Sequence, residues 1–359
     1  MGAVTPIRSA PEADAAAPPR VHPRSFHRTD AIVLAGSVAS SFALTWLLYS
    51  QLLPFSGIQG SLLCWFAIFL TMYYVAMREL EGKVIAKDRT MNALIAIAAI
   101  AVVIPLMLIL IYVTAKGARL LRLSFFTTSM SEVPPQAPPT SAGGLGAIVG
   151  TIEQVGIAML ISVPLGILTA VYLNEVRGRL RRPTRIFVDT MSGVPSIVAG
   201  LFIYSVLIAD GGSFSGFAAA LALSVLMLPT VTRTAEVVLR LVPDGLREAS
   251  LALGSPEWKT VRRVVLPTAR SGLITAVILG VARVVGETAP LILTAFGSPY
   301  VNANPFSGAQ SALPLQSFRL FTGTTEQVEM AWVFAFVLIA LVLILFVLAR
   351  TMGRRQFTR

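Results

Sequence analysis

Histidine, cysteine and charge are all scarce in this chain. Its two histidines, His22 and His27, both stand near the start. The remainder therefore cannot build a histidine-ligated zinc site or a catalytic triad that depends on histidine. One cysteine, Cys64, can form no internal disulfide and reads as a packing residue. No G-x-x-x-x-G-K-[ST] run is present to cradle nucleotide phosphates, so nothing here hydrolyses ATP. Charged residues make up 13% of the 359 and hydrophobic ones 55%, with a mean hydropathy of +0.75. That balance is too apolar for a water-soluble globule of this length and puts the chain in a membrane.

About 30 Å of hydrocarbon needs roughly 20 apolar residues of helix. Runs of that kind occur at residues 31–53, 60–77, 91–113, 147–173, 186–208, 216–236, 272–296 and 330–349, eight in all. The first is too long for the core of a signal peptide and reads as an uncleaved anchor. The net charge of +11 raises the question of nucleic acid, and the placement of the basic residues answers it. With eight spans both termini share a side, and 24 of the 29 Lys and Arg fall on it. This is the positive-inside pattern, which places both termini in the cytoplasm and leaves no role for nucleic acid.

Between the sixth and seventh runs lies the charged stretch EASLALGSPEWKTVRRVVLP, Glu248 to Pro267. Asp244 is a candidate N-cap and Gly254 a natural stop for a short helix carrying Leu246, Ala249 and Leu253 on one face. Ser255-Pro256-Glu257 reads as a second helix start, and Pro267 as the point where that helix ends or bends. Spacing alone also allows an ordinary amphipathic loop on the bilayer surface.

The pattern formed by Glu248, Ala249, Ser250, Gly254, Val264, Leu266 and Pro267 resembles the EAA loop of permease subunits in bacterial ABC importers. Ser250 replaces the usual Ala and Val264 the usual Ile. VPSIVAGLF (194–202), LPTVTRTAEVVLRLVPDGLREA (228–249) and GETAPLILTA (286–295) narrow the likeness to the PstA-type permease of phosphate-specific transporters. Ile292 and Leu293 stand where that family more often has Leu-Phe. The resemblance covers roughly Lys87 to Arg355 and implies an all-α, multi-pass bundle with a six-span permease core. It also implies a homologous permease partner of the PstC type, two PstB-type ATPases that bind the ATP and Mg²⁺, and a PstS-type phosphate-binding protein outside. The chain itself would bind no cofactor. Glu248 would sit at the ATPase contact, with Ala249, Ser250, Gly254, Leu266 and Pro267 shaping the loop.

Three regions are expected: a disordered cytoplasmic tail at 1–30, an extra N-terminal transmembrane hairpin at 31–86, and the permease domain at 87–359 with its coupling loop at 238–271. An ionisable residue inside a span is costly and suggests function. Arg283 with Glu287, four apart, and Arg233 with Glu236, three apart, are the candidates for an anion path. The alternative is that each pair simply neutralises itself. Asp189 reads as a loop residue, and Gly193-Val194-Pro195-Ser196 as a broken helix. Outer loops at 114–146 and 297–328, with no evident structure, would face the binding protein. A permease for molybdate or sulfate, or a non-transporting regulatory relative, are the alternatives.

Overall fold

The computed structural model describes residues 28–52, 57–176 and 178–354. The expected tail, up to residue 27, lies outside the described residues, as do Arg177, Arg355 and Arg359 of the basic set. The described residues are helical almost throughout, with one isolated bridge between Phe296 and Gln310. Contacts divide the chain into two units, Met1–Leu106 and Met107–Arg359.

The first unit holds α1 (Arg28–Leu47), ending in a π turn at Leu48–Leu52, then α2 (Ile58–Glu81) and the start of α3 (Lys83–Leu120). Phe69, Tyr73 and Met77, spaced by four, put one stripe of α2 into a core shared with Ala86. The rings of Phe69 and Tyr73 stack at 5.8 Å. Asp30, 2% exposed, receives a 2.9 Å hydrogen bond from Arg89 and so ties the first turn of α1 to α3.

The second unit is built around α4 (Leu145–Glu175) and α7 (Gly216–Arg240). Between them come α5 (Arg181–Ser192) and α6 (Ser196–Leu207). After α7 follow α8 (Asp244–Ala252), α9 (Glu257–Thr260), a π turn at Val261–Val265 and α10 (Leu266–Val284). The rest is α11 (Ala289–Thr294), α12 (Leu313–Leu320) and α13 (Thr325–Arg354). The buried stripe of α4 is mostly small: Gly146, Ala147, Gly150, Ala158, Ser162, Gly166 and Ala170. Small residues let helix backbones approach where no hydrophobic gain separates protein from lipid. The same logic holds at Gly280 of α10, where a Cβ would meet Val231 Cγ2 at 2.6 Å.

Among the described residues seven helices are long and apolar enough to cross a membrane, and the pair α5 and α6 makes an eighth if counted as one span. That pair is bent by 106°. The interruption falls at Gly193-Val194-Pro195, the site expected for a broken helix. Each half has 12 residues, about 18 Å at 1.5 Å per residue, too short to cross alone.

The seventh span differs from the reading at 272–296. Its helical course begins at Glu257 and ends at Val284. Pro267 does not break it. A proline has no N–H for the carbonyl four residues back. Just before it the ladder shifts register, with Leu266 N–H bonded to Val261 O across a π turn.

The two outer loops also carry more structure than expected. Three 3₁₀ turns occupy 123–141, and α12 lies within 297–328. Phe125, Leu313, Leu320 and Phe334 pack into one cluster, and the hydroxyl of Ser129 donates to the Pro299 carbonyl at 2.5 Å.

Candidate functional site

Three groups of residues are the candidates. The first lies between α5 and α7. Arg233, Glu236 and Arg240 follow at three and four residues and so share one face of α7. From α5, Arg185 and Asp189 face them. The Glu236 carboxylate, 2% exposed, accepts from Arg185 Nη2 at 2.6 Å, from Arg233 Nη1 at 2.7 Å, and from Arg240. Arg233 also pairs with Asp189. Asp189 is therefore a partner of the Arg233 guanidinium, where the sequence suggested a loop role. Three guanidiniums meet two carboxylates, and Arg185 Nε is buried with no acceptor among the described residues.

The second group sits where α10 stops. Arg283 and Glu287 were expected on one helical face, but the helix ends at Val284 and Glu287 lies in the break at 285–288. Pro290 accounts for the break: its ring excludes the Gly286 carbonyl from a continuing helix. Arg283 is exposed and Glu287 half-buried. Among the described residues neither side chain has a hydrogen bond or an ion pair. The structure does not bring Arg283 together with Arg233 and Glu236 into one bonded cluster.

The third group is the loop between α7 and α10. Two short helices meet at Gly254, whose φ of +78° is a left-handed conformation that a side chain would strain. Pro243, rather than Asp244, takes the N-cap position, and Asp244 accepts from Arg247 at 3.0 Å instead. Glu248 and Ala249 are exposed, as are Leu246, Leu251, Leu253 and Trp258. Leu253 is 90% exposed, so the apolar face of α8 is not spent on this chain's own core. The Ser250 hydroxyl is 2.8 Å from that of Thr260. Leu266 and Pro267 form the first turn of α10.

Sequence reasoning missed Arg247, which organises the base of this loop. Its guanidinium bonds both carboxylate oxygens of Glu175 at 2.9 and 3.1 Å. It also bonds the carbonyls of Leu239 at 2.9 Å and Val242 at 2.6 Å. The hydrogen bond to Glu175 holds the Arg247 pKa above its ordinary value, so the charge persists at any working pH. Of these contacts only the pair with Asp244, three residues away, had a signature in sequence spacing.

Residues 162–358 match the family described as binding-protein-dependent transport system inner membrane component. The chain belongs to that family and is a multi-pass protein of the bacterial inner membrane, a transport subunit and not an enzyme. It is 48% identical over 216 residues to phosphate transport system permease protein PstA 1 of Mycobacterium tuberculosis (strain ATCC 25618 / H37Rv), covering 59% of this chain and 69% of that protein. With PstA of Yersinia pestis it shares 36% over 253 residues, 69% of this chain and 83% of that one. Among solved structures it resembles the inward-facing MetNI methionine ABC transporter at a TM-score of 0.42 and 24% identity, covering 57% and 88% of the two chains. An amino acid ABC transporter with histidines gives 0.45 at 19% identity, covering 58% and 92%.

Proposed function

We propose that this chain is the transmembrane permease subunit of an ATP-driven phosphate importer. It forms the anion path together with a homologous permease subunit. Two ATPases of the PstB type dock from the cytoplasm on the loop at 238–271, with Glu248 at the contact. A PstS-type binding protein delivers inorganic phosphate from outside, and both termini lie in the cytoplasm. The names of the relatives support the substrate. Residues 31–86 are an additional hairpin preceding the permease domain at 87–359.

The observation that carries the anion reading is Arg283. It is a guanidinium within a span-length helix that has no carboxylate partner among the described residues. An unpaired cation within a span is costly unless an anion meets it. A guanidinium offers paired donors to a phosphate oxyanion. Arg233 and Glu236 form a second station on which carboxylates compete with the anion, so that it is released as well as bound. ATP-driven closure of the ATPases moves α8, and with it the helices at its base, exposing the path to one side at a time.

The test is radiolabelled phosphate uptake into vesicles carrying the reconstituted complex, for wild type and Arg283→Gln, with molybdate and sulfate as competitors. ATP-dependent uptake lost in the variant, with assembly intact, supports the reading. Undiminished uptake makes Arg283 structural. Molybdate or sulfate carried in place of phosphate overturns the substrate while leaving the permease.

A further inference from the structure

We propose that Arg247 is the residue through which a push on α8 reaches the membrane helices, with Ser250 as a second and weaker point of attachment. This rests on the importer reading above.

The argument begins with what α8 lacks. None of its nine residues is buried. A helix that is to move its neighbours usually does so through packed side chains, because close-packed contacts do not compress. The packing α8 does have is on the adjoining α9 and the π turn at Val261–Val265. Behind it lies a cavity of about 870 Å³, lined among others by Glu175, Arg181, Arg240, Leu251 and Glu257. Across that space α8 has little direct packing on α4 or α7.

Two polar links span it. Ser250 meets the hydroxyl of Thr260, which is 4% exposed and ends α9, from which the chain runs through the π turn into α10. Arg247, one residue before Glu248, makes the larger link. A guanidinium has five N–H bonds, and the five distances at Arg247 account for all of them. Two go to Glu175 at the end of α4, two to the carbonyls of Leu239 and Val242 at the end of α7, and one to Asp244 of α8 itself. The bidentate pair with Glu175 fixes direction as well as distance. The two carbonyls belong to the last turn and exit of α7, and that of Leu239 also accepts from the Val242 N–H at 3.3 Å.

α8 is thereby bolted to the inner ends of α4 and α7 together. α7 is also the helix that carries Arg233 and Glu236. A displacement of α8 thus reaches the charged cluster through a rigid fork and one helix. Arg247 touches no substrate and is a positioning residue. Lysine cannot replace it fully, since an ammonium has three donors and no planar fork.

The test uses the full complex with a Cys64→Ala background and spin labels on Leu251 of α8 and Leu168 of α4. Wild type should give one narrow distance distribution. Arg247→Met should broaden it, Glu175→Gln should broaden it less because the carbonyl acceptors remain, and Arg247→Lys should fall between. In parallel, phosphate taken up per ATP hydrolysed should fall at least fivefold in Arg247→Met and recover in part in Arg247→Lys, while the ATPases still co-purify. If the distribution stays narrow in Arg247→Met, or broadens with the ratio unchanged, the proposal is overturned. Should Arg247→Met fail to assemble, the Glu175→Gln and Arg247→Lys variants carry the same comparison. The label distances do not depend on phosphate, so absence of wild-type uptake would count against the importer reading and not against the clamp.

Discussion

Glu236→Gln should be the most destabilising single-charge change in the second unit. The carboxylate is 2% exposed and takes hydrogen bonds from three guanidiniums, at 2.6 Å from Arg185, at 2.7 Å from Arg233, and from Arg240. Removing one partner of a buried ion pair typically costs about 3–5 kcal/mol, because the other charge stays behind. Here the side chains left behind are 36%, 31% and 53% exposed, so water recovers part of that loss. Asp189 still holds Arg233. The expected penalty is therefore about 2–4 kcal/mol, below the buried limit and above the roughly 0–1 kcal/mol of an exposed pair. Arg240→Gln supplies the control at the exposed end, with about 1 kcal/mol or less expected. Thermal inactivation of the purified complex in nanodiscs, compared for the two variants, reads the difference. Removing one of the surplus cations, as in Glu236→Gln with Arg185→Gln, should restore part of the loss. If Glu236→Gln is no less stable than Arg240→Gln, the carboxylate does not hold α5 to α7.

Other outcomes follow from single features of the same geometry. Gly254→Ala should cost about 1–2 kcal/mol through backbone strain at φ +78° alone, since an added Cβ there meets nothing within 4 Å; a variant as stable as wild type in thermal inactivation would refute this. Gly280→Ala places a methyl 2.6 Å from Val231 Cγ2 and should cost about 1–3 kcal/mol by overpacking α10 on α7. Its partner change Val231→Ala should relieve that cost, which a double-variant cycle measures. Arg283→Gln should lower uptake by about 10–100-fold, the worth of a hydrogen bond to a charged group at about 1.5–3 kcal/mol; equal uptake would remove it from the path. Glu248→Lys should leave the fold intact, because the side chain is exposed, while reducing phosphate transported per ATP. An unchanged ratio would argue against Glu248 at the ATPase contact.

The family and the spans were legible because both are local patterns. GETAPLILTA and the Glu248 to Pro267 stretch carry the family likeness in fixed order, and hydrocarbon thickness sets a length that can be counted along the chain. Gly254 as a stop and the break at Gly193 to Pro195 were readable for the same reason, since glycine and proline act on their own backbone. The apolar run at 272–296 extends past the end of α10 because hydropathy does not report where a helix stops. Pro267 is accommodated by a register shift, whereas Pro290 follows Gly286 and terminates the helix. The charged cluster was half legible. Glu236 with Arg233 is a spacing of three on one helix, but Arg185 and Asp189 come from α5, some fifty residues earlier. No periodicity reports a contact between helices that a 106° elbow brings into position. Arg247 was hidden likewise, its carboxylate partner Glu175 standing 72 residues away.

The two interruptions, at 193–195 and 285–288, are linked by a contact that bears on the proposed anion path. α6, which follows the break at 193–195, packs against α11, which follows the break at 285–288. The approach is close enough that a Cβ on Gly200 would lie 2.6 Å from Pro290 Cα. Non-helical backbone at membrane depth persists only where protein buries it or water reaches it, because each unpaired backbone group costs several kcal/mol in hydrocarbon. Two such breaks on helices that touch each other, one bordered by Arg283 and the other joined through α5 to the Arg185 and Asp189 cluster, put irregular backbone and positive charge in the same unit. An anion needs both: donors to replace its water and a route that lipid does not seal. Gly200→Val tests the link, since it should force α6 away from α11 and depress uptake without touching a charged residue. If uptake survives that substitution with assembly intact, the two breaks act independently and the path does not depend on their contact.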